Sequence, residues 1–205
     1  MHFDEASHTY TIKGQPVPSV TQCLREAGLI DESWYSLAAA ERGTFVHQAC
    51  ALYDRDELDM STLDQKLAPY VEAWAKFRAQ AKVEMVIIEQ PYYSFEHGFA
   101  GTIDRAWVDI GKRFVVADIK SGALPKLPLQ LAGYSILINA FSGMGVELRD
   151  NGNYSVRVIG TVELFKARKV FLEALEKVKQ KRRVENGKEE ESGAGITIDG
   201  IIDEI

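Results

Sequence analysis

The sequence predicts an α/β fold of the α+β type, in which a mixed central β-sheet is flanked by helices and preceded by a helical part. Three observations lead to this expectation. Residues 17–81 carry mostly helical patterns, residues 83–119 hold three segments rich in Val, Ile and Tyr separated by short turns, and helical and strand patterns alternate after them. We therefore expect one domain over residues 1–184, with its core in 83–184, and a tail over residues 185–205.

The order of the elements follows from local signals. Ser19 with Gln22 three residues later is a capping-box pattern, and Gly28 ends the helix that it opens. A second pattern of this kind, Thr62 to Gln65, is expected to open another helix. The predicted helices cover about residues 19–27, 33–53, 62–81, 129–141 and 166–183. The predicted strands cover about residues 3–13, 83–95, 99–110, 113–119 and 154–159.

Length and composition are ordinary for a globular protein. The chain has 205 residues, 46% of them hydrophobic and 26% charged, so it can bury a core and does not belong to the disordered class. No apolar run approaches the roughly 20 residues that span a bilayer, and the first residues lack the features of a signal peptide. We expect a cytoplasmic protein with no membrane partner. Cys23 and Cys50 are too few for a zinc ribbon, and we expect both to be packing residues.

Charge is distributed unevenly along the chain. The net charge is −6, and residues 185–205, with seven acids and one lysine, account for all of it. Just before them, residues 166–183 hold eight Lys or Arg against two Glu. One interpretation is a helix that contacts a nucleic-acid backbone, with the acidic tail folding over it as a phosphate mimic. The other is a solvated helix face with pairs of opposite charge four residues apart.

Two acids and a lysine emerge from adjacent predicted strands. Asp118 and Lys120 project from one face of their strand while Ile119 faces the other way, because side chains alternate along a strand. If the strand of Asp104 pairs antiparallel with this one, its carboxylate reaches the same spot. Charges at the end of the apolar run 115–117 are favourable only where they meet water, a metal or a ligand. These residues predict a site for a hard divalent cation with a lysine beside it.

Four short motifs stand in a fixed order along the chain. They are Gly-x-x-x-His at 43–47, Gly-Thr-Ile-Asp at 101–104, Asp-Ile-Lys-Ser-Gly at 118–122 and Gln-Leu-Ala-Gly-Tyr at 130–134. In this order and spacing they resemble the PD-(D/E)XK, or restriction-endonuclease-like, nuclease superfamily, and within it the RecB-type exonuclease branch. The segment from Pro18 to Thr21 is also similar to the start of phage-encoded members. The resemblance runs from about residue 16 to about residue 165.

The resemblance implies one or two Mg²⁺ or Mn²⁺ ions as cofactors and gives several residues a role around them. Asp104 and Asp118 would be carboxylate ligands, the Ile119 carbonyl a further ligand, and His47 a nitrogen ligand. Hard oxygen ligands are what these cations prefer. Lys120 would orient or activate the attacking water and stabilise charge on the phosphate. The iron–sulfur branch of the family needs four cysteines, so no iron–sulfur cluster is expected.

The same resemblance brings further residues into the predicted site. Glu89 matches an acid that lies near the metal and takes part in the reaction, although Glu84 competes for that position. Gln130 and Tyr134 lie four residues apart on one helix face, where family members contact DNA or support the lysine. A core aromatic is the alternative interpretation of Tyr134. The expected phosphate contacts are Thr102, Ser121 and Lys126.

The function that the resemblance implies is a metal-dependent DNA exonuclease acting in phage-type recombination, repair or DNA processing. Its expected partners are single- or double-stranded DNA, a recombination or single-strand-binding protein, and further copies of the chain in a homo-oligomer. Two alternatives stay open: a structure-specific endonuclease, and a catalytically inactive nucleic-acid-binding subunit with the same fold. The acids, the lysine and the histidine are all present, whereas a decayed site usually lacks one. We therefore favour the enzyme.

Overall fold

The computed structural model describes residues 2–4, 9–30, 36–122 and 126–193, and the side chains of the last helix up to residue 185. Within these ranges the chain forms a five-stranded mixed sheet and a three-stranded sheet, with helices packed on both faces of the larger one. This architecture confirms the fold class expected from the sequence. None of the helices in this part of the chain is long and apolar enough to cross a membrane.

The elements are named here in chain order. The small sheet contains β1 (His2–Asp4), β2 (Thr9–Ile12) and β3 (Gln15–Val17). The next three elements are the helices α1 (Val20–Glu26), α2 (Leu37–Asp54) and α3 (Ala68–Ala81). The large sheet contains β4 (Ile87–Ser94), β5 (Phe99–Val108), β6 (Phe114–Lys120), β7 (Ser142–Leu148) and β8 (Tyr154–Ile159). Helix α4 (Leu127–Leu137) joins β6 to β7, and α5 (Thr161–Gly193) follows β8.

The large sheet has the strand order β4-β5-β6-β7-β8. Strands β4, β5 and β6 form an antiparallel meander, β7 runs parallel to β6, and β8 returns antiparallel to β7. The pairing of Arg105 with Ala117 confirms the expected antiparallel arrangement of β5 and β6. At the next step of this register Asp104 stands opposite Asp118. The meander therefore brings together two acids that a turn separates in the sequence.

Strand β7 is a feature that the sequence does not predict. The turn signal at 150–153 predicts a hairpin here, which the antiparallel pairing of β7 and β8 confirms. Only its second strand, 154–159, is assigned from the sequence, because Ser142, Gly143 and Gly145 give the preceding segment little strand propensity. A Cβ atom at Gly143 would lie 2.9 Å from Leu131 Cδ1, closer than such atoms pack, so the glycine lets α4 lie directly on the strand. The expected set of four large-sheet strands is wrong, because the described residues form five.

The large sheet separates two hydrophobic cores. On one face α1, α4 and α5 pack around a core that includes Leu24, Leu131 and Phe171. On the other face α2 and α3 pack around a core that includes Val46 and Trp74. Residues of β6 contribute alternately to the two cores, as the period of a strand requires. Both cysteines are buried, one in each core, which confirms that they are packing residues.

The predicted helix caps are correct in one case and wrong in another. Ser19 and Gln22 form the capping box of α1, because the backbone N–H of each donates to the side chain of the other. The second predicted box is wrong, since α3 begins at Ala68 rather than Thr62 and has no side-chain cap. The Asp64 carboxylate instead accepts a hydrogen bond from the backbone N–H two residues later, which holds this segment in a turn.

Helix α5 is longer than predicted and uses some of its bases within the fold. Arg168 donates hydrogen bonds to one hydroxyl and to two backbone carbonyls at the end of α4. Arg182 makes two hydrogen bonds to Glu26 of α1. The expected boundary between domain and tail, at residue 184, falls inside this helix. Residues 194–205 of the expected tail lie outside the described residues, so the role of the tail stays a prediction.

Candidate metal centre and active site

Three groups of the type that bind metals converge between α2 and the large sheet. His47 comes from α2, Glu89 from β4 and Asp104 from β5, and one ligand atom of each lies within 4.8 Å of the others. All three are residues that the sequence motifs place in the site. The motif resemblance puts His47 and Asp104 among the metal ligands, and the structure adds Glu89 to the same cluster.

Both ring nitrogens of His47 face acceptors. The Nε2–H group donates to the Ile119 carbonyl at 2.7 Å, and Nδ1 lies 3.3 Å from Glu89 Oε1 and 3.6 Å from Asp104 Oδ2. Burial lowers the pKa of His47, but the carboxylates of Asp104 and Glu89 outweigh it, so the pKa is raised above its usual value. With Nε2–H donating to the Ile119 carbonyl, Nδ1 is the ring nitrogen that faces the two carboxylates and could bind a cation.

Glu89 has an unusual backbone conformation within β4. The ladder between β4 and β5 continues in register on both sides of it, which leaves Glu89 opposite Asp104. Its φ angle is 45°, in the left-handed region that residues other than glycine seldom adopt. Strain of this kind costs on the order of 1–3 kcal/mol and persists only where the surroundings enforce it. The carboxylate of Glu89 is thus held in the cluster at the expense of a regular strand.

Neighbouring positive groups keep Glu89 ionised, and its position distinguishes it from Glu84, the other acid that the motif allows. Burial raises the pKa of Glu89, but the hydrogen bonds and charges of His47 and Arg105 outweigh it and lower the pKa below its usual value. Glu84 is exposed in the segment before β4. Of the two acids that the motif left open, the structure places Glu89 beside His47.

The backbone of Ile119 presents both of its polar groups to the cluster. Its N–H donates to Asp104 Oδ2 at 3.0 Å, while its carbonyl accepts from His47. Asp104 is only 6% exposed, so this hydrogen bond also satisfies a carboxylate that water barely reaches. The carbonyl expected to be a metal ligand therefore lies beside the cluster, and the buried Ile119 side chain faces the core of α2 and α3.

Asp118 and Lys120 form the second half of the site. The Lys120 ammonium donates to Asp118 Oδ1 at 2.9 Å, and the two side chains share one face of β6 as their spacing predicts. Asp118 is fully buried, and its Oδ2 atom has no hydrogen-bond partner among the described residues. Burial raises the pKa of Asp118 to about 6, Lys120 opposes this rise, and the nearby Asp104 adds to it.

These residues fit a divalent metal ion. A buried carboxylate oxygen without a partner is costly unless a cation or a donor meets it, and Asp118 Oδ2 is such an atom. The cluster of His47, Glu89 and Asp104 supplies two carboxylates and one nitrogen, which is a donor set for Mg²⁺ or Mn²⁺. Asp118 lies outside the group of three whose ligand atoms are within 4.8 Å of one another.

Gln130 and Tyr134 lie on one face of α4, as their spacing predicts. The Gln130 amide donates to the Tyr134 hydroxyl at 3.2 Å. Tyr134 is 6% exposed and packs where Gly101 leaves room, since a Cβ at Gly101 would lie 3.1 Å from Tyr134 Cε1. Burial and the charges of Asp104 and Asp118 raise its pKa well above the usual value. This placement favours the core-aromatic interpretation of Tyr134, with Gln130 as the outer member of the pair.

The expected phosphate contacts lie on three different segments. Thr102 shares a hydrogen bond of 2.7 Å with the Tyr10 hydroxyl of β2, which ties the small sheet to β5. Ser121 follows β6 and faces α2 at Gly43, where a Cβ would lie 3.9 Å from its hydroxyl oxygen. Lys126 is exposed at the start of α4. Contact of these side chains with a phosphate stays a prediction.

Comparison with known proteins finds distant structural similarity only. No protein family and no curated protein sequence match the chain. An alkaline exonuclease from Laribacter hongkongensis aligns with a TM-score of 0.42 and 15% identity over 82% of this chain and 81% of its own. A phage-related exonuclease from Haemophilus somnus aligns with a TM-score of 0.41 and 12% identity over 86% of this chain and 97% of its own. An activity does not follow from similarity at this level.

Two charged residues behind the cluster are not predicted from the sequence. Arg105 is fully buried and donates to Glu89 at 2.8 Å, and Asp54, also buried, accepts from Arg105 at 2.5 Å. A signal for Arg105 exists, because it interrupts the apolar residues around it in β5. Asp54, the last residue of α2, carries no such signal.

Proposed function

We propose that this protein is a metal-dependent DNA exonuclease of the PD-(D/E)XK type. The observation that supports it most is the convergence of His47, Glu89 and Asp104 within 4.8 Å, beside the Asp118 and Lys120 pair. Cation ligands next to a lysine are the groups that hydrolysis of a phosphodiester requires. The order of the sequence motifs supports DNA as the substrate and phage-type recombination, repair or DNA processing as the setting.

Each of these side chains has a role in the proposed reaction. A bound Mg²⁺ or Mn²⁺ would lower the pKa of its water and neutralise charge on the phosphate. His47, Glu89 and Asp104 would hold the cation, and Asp118 would offer it the oxygen that lacks a partner. Lys120 is 27% exposed and extends from the buried Asp118 towards solvent, so its ammonium can hold the attacking water or a phosphate oxygen.

Substitution of Asp118 and of Lys120 tests the proposed reaction. Asp118→Asn and Lys120→Met should each lower Mg²⁺-dependent cleavage of linear DNA by at least about a hundredfold, because the first removes a ligand of the cation and the second removes the group that acts on the reacting water or phosphate. Release of acid-soluble nucleotides from labelled DNA measures the rate.

Matched controls for these variants lie at the other end of the β5–β6 hairpin. Asp109→Asn and Lys112→Met make the same changes of charge in the turn and should leave cleavage unchanged. Retained activity in both Asp118→Asn and Lys120→Met would refute the assignment. Loss of activity in a control as well would mean that net charge, rather than the site, governs the rate.

The form of the DNA decides between exonuclease and endonuclease. An exonuclease degrades linear DNA and leaves covalently closed circles intact, whereas an endonuclease with the same chemistry nicks the circles. End-labelled single- and double-stranded DNA, incubated with Mg²⁺ or Mn²⁺, would also give the polarity and the strand preference. Nicking of closed circles at the rate of linear digestion would replace the exonuclease proposal with the endonuclease.

A further inference from the structure

Arg105 is the largest fully buried charged side chain among the described residues. Its guanidinium lies 5.6 Å from the centre of the Trp74 ring, and it is connected by hydrogen bonds on two sides. On one side Nε donates to Asp54 Oδ2 at 2.5 Å. On the other, Nη1 donates to Glu89 Oε1 at 2.8 Å and to the Asp104 carbonyl at 2.5 Å. Arg105 thus contacts two of the three residues in the cluster of His47, Glu89 and Asp104, and it does not face solvent.

The far end of this connection is fixed by α2 and α3. Asp54 accepts a hydrogen bond from Trp74 Nε1 at 2.9 Å and another from Arg78, so its carboxylate is held by three donors including Arg105. His47 and Asp54 lie on the same helix about two turns apart, and therefore on the same face. Helix α2 places His47 at one end of the cluster and, through Asp54 and Arg105, sets the position of Glu89.

A buried ion pair of this kind is a poor way to stabilise a fold. The cost of removing the charges from water is of the same size as their attraction, and well-packed apolar residues often do as well or better. At Glu89, however, the ion pair with Arg105 offsets the backbone strain of this residue, whose φ angle of 45° lies in the left-handed region. A regular strand conformation would turn the Glu89 carboxylate elsewhere. The guanidinium holds that carboxylate where the conformation alone would not keep it.

We propose that Arg105, anchored by Asp54, is a positioning residue that orients the Glu89 carboxylate for cation binding. The inference rests on the proposed function, since it assigns a support to the metal centre described above. Groups that hold a metal ligand in place typically change metal affinity 10- to 100-fold when they are removed. Arg105 reaches no substrate in this arrangement, because it is enclosed between the sheet, α2 and α3.

Calorimetric titration with Mn²⁺, paired with the melting temperature of the metal-free protein, tests this role. Two variants remove the guanidinium in different ways. Arg105→Lys keeps the positive charge but loses the guanidinium that joins Asp54 to Glu89. The double variant Asp54→Asn/Arg105→Met removes both charges, and its Asn side chain still offers Trp74 an acceptor. Each variant should keep a metal-free melting temperature close to that of the wild type and bind Mn²⁺ roughly 10- to 100-fold more weakly.

The control is a partly buried arginine that supports no cluster residue. Arg168→Met removes hydrogen bonds between α5 and the end of α4, so it should lower the melting temperature and leave the Mn²⁺ affinity unchanged. Unchanged Mn²⁺ affinity in both Arg105 variants would overturn the proposal, and so would loss of the native fold in both, since Arg105 would then be a structural residue. Failure of the wild-type protein to bind Mn²⁺ would instead refute the metal centre itself.

Discussion

The carboxylate of Asp118 shows the chemistry of the site at the scale of one residue. It is fully buried, and its Oδ1 atom accepts a hydrogen bond from Lys120. Its Oδ2 atom has no hydrogen-bond partner among the described residues. A carboxylate in this position is kept at a cost to stability, since burial disfavours its charged form. Its neighbour Asp104, satisfied by the Ile119 N–H, adds a second negative charge nearby. The fold therefore concentrates unfavourable charge where a cation would relieve it.

The raised pKa of Asp118 predicts a pH dependence of stability. Because the pKa is about 6 in the folded protein against 3.8 for the free side chain, stability should decrease as pH rises from about 4 through about 6. The loss is on the order of 2–3 kcal/mol, from roughly 1.4 kcal/mol per pKa unit. Urea unfolding of metal-free protein at pH 5 and pH 7.5 captures about half of this loss, about 1.4 kcal/mol, because the rest occurs below pH 5. Asp118→Asn should remove this difference, and an equal difference in that variant would assign it to other groups.

At the scale of elements, three helices meet closely over the face of the sheet opposite α2. Gly133 of α4 lies at the junction, because a Cβ there would stand 2.7 Å from Val20 Cγ1 and 3.0 Å from Phe171 Cε2. Val20 belongs to α1 and Phe171 to α5. The junction fixes the orientation of α4, and with it the positions of Gln130 and Tyr134.

Substitution of Gly133 by alanine should destabilise the protein although alanine favours helices. The gain in helix propensity is about 1 kcal/mol, but the added methyl group overlaps buried side chains and should cost about 1–3 kcal/mol. A lower midpoint of urea unfolding is the expected result. Gly43→Ala is the matched control, because Gly43 also lies inside a helix and the nearest atom to its Cβ position, Ser121 Oγ, is at an ordinary contact distance of 3.9 Å, so this change should not lower the midpoint. A stabilised Gly133→Ala variant would show that the junction yields without strain.

Elements with local signals are the ones that the sequence predicts correctly. The meander of β4 to β6 is rich in β-branched and aromatic residues and has turns at glycine, so its antiparallel pairing follows from the chain itself. Strand β7 exists because Gly143 lets it pack under α4, which is a tertiary contact. The start of α3 depends on competing turn hydrogen bonds at Asp64. Neither choice leaves a pattern in the sequence.

The residues of the candidate site also divide into those with a local sequence signal and those whose position depends on tertiary contacts. Asp104, Asp118, Lys120 and His47 could be found because each belongs to a short motif. Arg105 is a charge among apolar residues of β5, but its link to the site could not be predicted, since it depends on Asp54, about fifty residues earlier in the chain. The left-handed conformation of Glu89 is likewise a result of assembly rather than of local preference.

At the scale of the whole molecule, cation binding should stabilise the fold by mass action. A ligand that binds only the folded state adds about 2.7 kcal/mol at a hundred times its dissociation constant, which for a chain of this size raises the melting temperature by roughly 5–10 °C. Thermal unfolding with and without Mn²⁺ measures the shift. Asp104→Asn should abolish most of it, whereas Asp109→Asn should not. An equal shift in Asp104→Asn would place the bound cation elsewhere.

The hydrogen bonds of Ile119 also bear on the order in which the fold assembles. Its N–H meets Asp104 across a separation of 15 residues, whereas its carbonyl meets His47 across 72 residues. Short chain segments close first, because the entropy lost on closure and the search for distant contacts both grow with separation. We therefore expect a refolding chain to bring its carboxylates together on the meander before α2 brings His47 to them. Cation affinity should then reach its full value only when α2 docks.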